Sequence, residues 1–104
     1  MMIVNSDSIA HKTIVETLGL VRGNTIRSRN VGRDILAGLK NLVGGEIEEY
    51  TKLMGEAREQ ALDRMVAEAK ALGANAVINV RFSTSEIMSA ASEILAYGTA
   101  VIVE

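Results

Sequence analysis

The stretch EIEEYTKLMGEAREQALDRMVAEAKAL, Glu46–Leu72, decides the fold. Its apolar residues Ile47, Tyr50, Leu53, Met54, Ala57, Ala61, Leu62, Met65, Val66, Ala69 and Leu72 recur every three or four residues. That period places them on one stripe of an α-helix about seven turns long. Glu46, Glu48 and Glu49 open it, where carboxylates suit the positive end of the helix dipole. Glu48 and Lys52 form an i,i+4 pair in the favourable order. Gly73 follows as a C-cap. Gly55 lies inside the helix at a cost of about 1 kcal/mol against alanine, which predicts a close backbone contact there.

A helix with one apolar stripe needs a surface to lie on, and the flanking segments read as strands. Downstream, Ala76–Ser83 alternates, with Ala76, Ile78, Val80 and Phe82 on one face and Val77, Asn79 and Arg81 on the other. Thr84–Ser92 reads as a loop of small polar residues. Glu93–Val103 is apolar on both faces. Ile94, Ala96, Ala100 and Ile102 point one way, and Leu95, Tyr97, Val101 and Val103 the other. Upstream, Met2–Asn5 is a short strand and Ser6–Lys12 a turn. Thr13–Val21 is a strand, Gly23-Asn24 a turn, and Thr25–Arg29 a second short piece of strand. Ile35, Leu36, Leu39, Leu42 and Val43 fall at helical spacing, so Gly32–Val43 reads as a short helix stopped by Gly44-Gly45.

The fold class is therefore α+β: a single domain over residues 1–104, with one long helix packed on an antiparallel-rich sheet. The helix covers one sheet face. The other still carries Leu95, Val101 and Val103, to be covered by the short helix or by a neighbouring copy of the chain. A strand that is apolar on both sides favours the neighbour.

Composition narrows the chemistry. The chain has 104 residues, 48% of them hydrophobic and 23% charged, which suits one ordinary domain with a buried core. It has no cysteine, no tryptophan and one histidine, His11. Disulfides, thiolate metal sites, iron–sulfur clusters and thiol nucleophiles are excluded. A Ser-His-Asp triad would need His11 as its base. No base–nucleophile pair stands out, so neither an enzyme nor a cofactor is expected. The net charge of −2 gives no chain-wide attraction to nucleic acid or to an anionic membrane. No apolar run approaches the roughly 18 residues of a membrane span. Met1–Val4 lacks the basic and long apolar regions of a leader, so the cytoplasm is the expected location.

Four arginines, Arg22, Arg27, Arg29 and Arg33, stand together with no acid between the first and the last. They read as an anion or phosphate site helped by Gly23, Gly32 and a helix start, with Arg27, Arg29 and Arg33 as the ligand-binding candidates. The more ordinary reading is a solvated or intersubunit basic surface, which could pair with the acidic helix start at Glu46, Glu48 and Glu49. None of the three aromatics, Tyr50, Phe82 and Tyr97, lies among them in sequence, which argues against nucleic acid. Gly44-Gly45 lacks the spacing of phosphate-cradling loops and is followed by Glu46, so it reads as a turn. His11 is the metal candidate, with Asp7 or Glu16 as conceivable co-ligands, and Glu46, Glu49 and Glu56 are a second, hard-ligand set. The hydroxyl-rich stretch Ser83–Ser92 has no local base and is no nucleophile cluster.

The segments GLVRGNTIRSRNVGRDILAGLKNLVGGEIEEYTKLM (Gly19–Met54), ALGANAVINVRF (Ala71–Phe82) and ILAYGTAVIV (Ile94–Val103) resemble the YbjQ-like proteins. These are small bacterial and archaeal chains often labelled as heavy-metal-binding. Gly32-Arg33-Asp34, Val43-Gly44-Gly45, Ala57-Arg58-Glu59, Leu72-Gly73-Ala74 and Gly98-Thr99-Ala100 carry the resemblance most specifically. It implies a β-α-β-β subunit of the dodecin-like kind. It also implies a ring-shaped homopentamer, so the chain's expected partner is itself. This chain departs from the family pattern at Asn75, where relatives often have an aspartate, and at Asn79, where they have a glycine. Some relatives also carry a histidine where this chain has Asn30. Soft heavy metals favour thiolate, thioether and imidazole, and this chain offers no thiolate and one imidazole.

Overall fold

The structure, a computed structural model, describes residues 1–28, 48–88 and 91–104. The expected short helix Gly32–Val43 lies outside the described residues. The elements are β1 (Met2–Ile3), β2 (Ile14–Ser28), α1 (Glu48–Ala71), β3 (Ala76–Met88) and β4 (Ala91–Val103). They form one helix on a four-stranded mixed sheet of order β1-β3-β4-β2. β1 runs parallel to β3, and both long pairings, β2 with β4 and β3 with β4, are antiparallel.

The helix stripe packs as the sequence requires. Ala57, Ala61, Met65 and Ala69 are fully buried against Val21, Val77, Ile94, Ala96 and Ala100 of the sheet. Met65 is the largest fully buried side chain, and its truncation to alanine carries the usual core cost of about 2–5 kcal/mol. Thr25 is the buried polar residue of this layer, and its hydroxyl donates to the Ala57 carbonyl at 3.2 Å.

The opposite sheet face is covered at one end by the chain itself. Ala76, Ile78 and Val101 are buried there beneath Val4, Ile9, Ile14 and Val103. The segment after β1 extends this edge, with Val4 N–H donating to Val77 O, Val80 N–H to Val4 O and Asn79 N–H to Ser6 O. Farther along the same face, Leu20 and Ile26 remain exposed.

Three expectations from the sequence are corrected. Gly23-Asn24 is not a turn. β2 runs straight through it, with Gly23 opposite Ala96 and Asn24 opposite Leu95. Glycine is needed there for proximity, because a Cβ at Gly23 would collide with the helix backbone at Ala61 and Met65. The close contact expected at Gly55 is absent, since a Cβ there meets only the end of Arg58 at 3.9 Å. Thr84–Ser92 is not a loop. β3 continues to Met88 and β4 begins at Ala91, with Thr84 opposite Ile94 and Glu86 opposite Ser92. The small hydroxyl residues accept extended geometry because β4 supplies their backbone partners.

The alternation expected along β3 also breaks. Asn79 has φ +54°, in the left-handed region, and the register slips between Ile78 and Arg81. Val80 therefore packs on the helix side with Val77, not beside Ile78. Two further slips, after Ile14 and after Thr17, mark bulges in the first third of β2.

Asn75 closes the end of the sheet. Its Nδ2 donates to Val103 O at 2.9 Å and its Oδ1 accepts from Val103 N–H at 2.8 Å. The amide thus acts as one more rung of the ladder. An aspartate would lose the donor and set a carboxylate against the Val103 carbonyl.

Three outcomes follow for stability. Gly55→Ala raises the free energy of urea unfolding by about 0.5–1 kcal/mol, because the helix gains an alanine with room for its methyl group. Gly23→Ala lowers it by more than that, because the helix must move off the sheet. Asn75→Asp lowers it by about 1–2 kcal/mol at neutral pH, read from the same unfolding curves.

Candidate functional site

Arg27 leaves β2 on the helix side. Its Nη2 donates to Gln60 Oε1 at 2.8 Å. The two elements frame a shallow, open cleft of about 640 Å³. Its helix wall carries Glu56, Glu59 and Asp63 at spacings of three and four residues, together with Arg58. Helical geometry puts those carboxylates on one side of α1. An anion bound to Arg27 would face all three. With three carboxylates against Arg27 and Arg58 in the cleft, Arg27 makes a poor centre for phosphate. Arg29 and Arg33, the other two ligand-binding candidates, lie outside the described residues. So does Glu46 of the acidic helix start. Arg27 does meet the helix, as the pairing alternative requires, but more than ten residues along it, at Gln60.

Arg22 leaves β2 on the opposite face. It separates from Arg27 because strand side chains alternate and the two residues differ in parity. Arg22 is exposed and makes no hydrogen bond or ion pair among the described residues.

His11 sits in the turn between β1 and β2, exposed, with φ +63°. Lys12 N–H donating to Ile9 O at 3.1 Å shapes that turn. Among the described residues no three His, Cys, Asp or Glu side chains gather as a metal-binding group. The co-ligands considered for His11, Asp7 and Glu16, do not form such a group with it. The two departures from the family pattern have structural accounts. Asn75 serves the ladder to Val103. Asn79 occupies a left-handed backbone position that asparagine tolerates nearly as well as glycine.

One arrangement escaped the linear reading. Tyr97 of β4 pairs with Arg22 of β2 on one side and Arg81 of β3 on the other. The aromatic that lies far from the arginines in sequence stands between two of them in the sheet. The signal was present in the two-sided pattern of β4, but the pairing partners of Tyr97 depend on the bulge at Asn79.

The whole chain, residues 1–104, matches the model of the YbjQ family, described as "Putative heavy-metal-binding". A UPF0145 protein of Halorubrum lacusprofundi is 66% identical over 97% of both chains. A UPF0145 protein of Dehalococcoides mccartyi is 61% identical over the full length of both. A crystal structure of a DUF74-family protein of unknown function from Pediococcus pentosaceus superposes with a TM-score of 0.66 at 16% identity. It covers 100% of this chain and 98% of the other, and it supports the α+β fold.

His11→Ala is expected to retain the same amount of zinc, nickel, copper or cadmium as the unaltered chain in equilibrium dialysis. A clear loss of bound metal in the variant would restore His11 as a ligand.

Proposed function

The chain belongs to the YbjQ family, and on that footing we propose that it is a cytoplasmic, non-enzymatic protein that assembles with copies of itself into a ring of five. The observation that carries this reading is the free edge of β2. Among the described residues, β2 lies at the end of the sheet order and pairs only with β4. Its bulges are confined to the Ile14–Gly19 end, and Leu20–Ser28 pairs with β4 without interruption. A long unbroken edge is a template for another strand, and soluble proteins usually cover it or blunt it. This one carries neither lysine nor proline over its length.

The other side of the sheet supports the same reading. β1 pairs with β3 only at Ala76 and Val77. Beyond Arg81, the outer edge of β3 has no strand partner among the described residues. Free edges on opposite sides favour head-to-tail contact, and such contacts close into rings when the rotation allows.

The absence of cysteine suits a reducing compartment. No described helix is long and apolar enough to cross a membrane. The family's metal label finds little support in these donors, for the reasons given at His11.

Multi-angle light scattering at micromolar concentration tests the proposal. The expected mass is five times the 11.1 kDa chain. A monodisperse 11.1 kDa species would overturn it.

A further inference from the structure

We propose that the row Arg22–Tyr97–Arg81 on the open sheet face binds a nucleoside phosphate, with the base on Tyr97, the phosphate on Arg22, and Arg81 adding positive charge at the β3 edge. The three residues are direct cross-strand partners on adjacent strands. Neighbouring strands lie about 4.8 Å apart, so the two arginine backbones flank Tyr97 across about 10 Å. All three side chains point away from the helix, because their strand neighbours Val21, Val80 and Ala96 belong to the helix-side core.

Each residue is in a state suited to the role. Arg22 is exposed and uncommitted among the described residues, so its planar fork is free for two phosphate oxygens. Arg81 is a cation fixed at the β3 edge, its Nη1 donating to Asn5 O at 2.7 Å and to Val80 O at 3.0 Å. Tyr97 is half-buried, which orders the ring and leaves part of it open to a ligand. Tyrosine offers a π-face to any base. The next rows lie about 7 Å away along the strands. Leu20 and Thr99 stand on one side, and Asn24, Leu95 and Ser83 on the other. They give the base an apolar border with amide and hydroxyl groups beside it.

Charge on this face favours an anion although the chain as a whole is acidic. Among the described strand residues, the carboxylate on this face, Glu93, is four residues along β4 from Tyr97, about 13 Å away. It already accepts from Asn24 Nδ2 at 3.0 Å. The helix-side cation Arg27 has carboxylates around it, as described above; Arg22 and Arg81 have none in their row. One aromatic and one uncommitted arginine match one base and one phosphate group. A single strand of nucleic acid would need a series of stacking rings and a basic track. All three residues belong to one chain, so the site is complete within a single subunit.

Calorimetric titration of the full chain with AMP, at low ionic strength, tests the site. Arg22→Ala and Tyr97→Ala each weaken binding by about tenfold or more, whereas Arg27→Ala changes it by less than about twofold. Tyr97→Phe keeps the stacking ring and stays within about twofold, which separates loss of the ring from loss of the fold. Adenosine and ribose 5-phosphate, each lacking one half of the ligand, bind about tenfold more weakly than AMP or worse. No binding at millimolar AMP, or ribose 5-phosphate binding as tightly as AMP, would overturn the proposal. So would a loss on Arg27→Ala equal to that on Arg22→Ala. A ten-nucleotide single strand binding more than about tenfold tighter than AMP would overturn it in favour of nucleic acid.

Discussion

At Gly23 the helix and the sheet meet with no side chain between them. The backbone of α1 at Ala61 and Met65 lies where a Cβ of residue 23 would be. This contact sets the height of the helix above the sheet. Once it is set, the rest of the layer must be filled by small residues, and it is: Ala57, Ala61 and Ala69 face Ala96 and Ala100. Dispersion contacts fall away steeply with separation, so an alanine-lined interface is cohesive only at this short distance. Met65 is the largest side chain buried in the layer, and Thr25 ties strand to helix through Ala57 O. The stripe of α1 thus owes less to large apolar side chains than its length suggests. It is a close-packed seam that depends on one glycine.

Much of this was legible in the sequence. The helix from residue 46 to 72 announced itself by period and is observed over Glu48–Ala71. The two faces of β4 follow strict alternation, with Ile94, Ala96 and Ala100 toward the helix and Val101 and Val103 away from it. What the sequence concealed is instructive because one residue type was responsible twice. Gly23-Asn24 has the composition of a turn, and composition cannot distinguish a glycine used for a turn from one used for proximity. Gly55 has the composition of a contact and makes none. The serine-rich continuation of β3 failed as a strand on propensity alone, because its order comes from β4 rather than from its own residues.

The candidate site was less legible than the fold. Arg22 and Arg27 are near in sequence, yet five positions along a strand put them on opposite faces. Arg27 ends beside Gln60, and Arg22 beside Tyr97. A cluster of like charges in a strand is therefore two half-clusters, and each must be judged with its own cross-strand neighbours. Donor chemistry made the opposite case for metal. There the sequence itself supplies the argument, since the chain has one imidazole and no thiolate.

The bulge at Asn79 links the core to the open face. In a regular strand Val80 would share a face with Ala76 and Ile78, and Arg81 would turn toward the helix with Val77. The extra residue reverses the parity of everything after it. Val80 joins the helix-side core, and Arg81 comes out on the open face in the row of Tyr97. The distortion needs two permissions. Asparagine supplies the left-handed backbone at φ +54°. Gly98, across the ladder, supplies the room, because a Cβ there would come within 2.7 Å of the Val77 side chain and 2.9 Å of Ile78 O. Glycine at 98 and asparagine at 79 therefore act as one device. It buries a valine and exports an arginine with a single inserted residue, so the helix-side core and the Arg22–Tyr97–Arg81 row cannot be altered independently at this point in the chain.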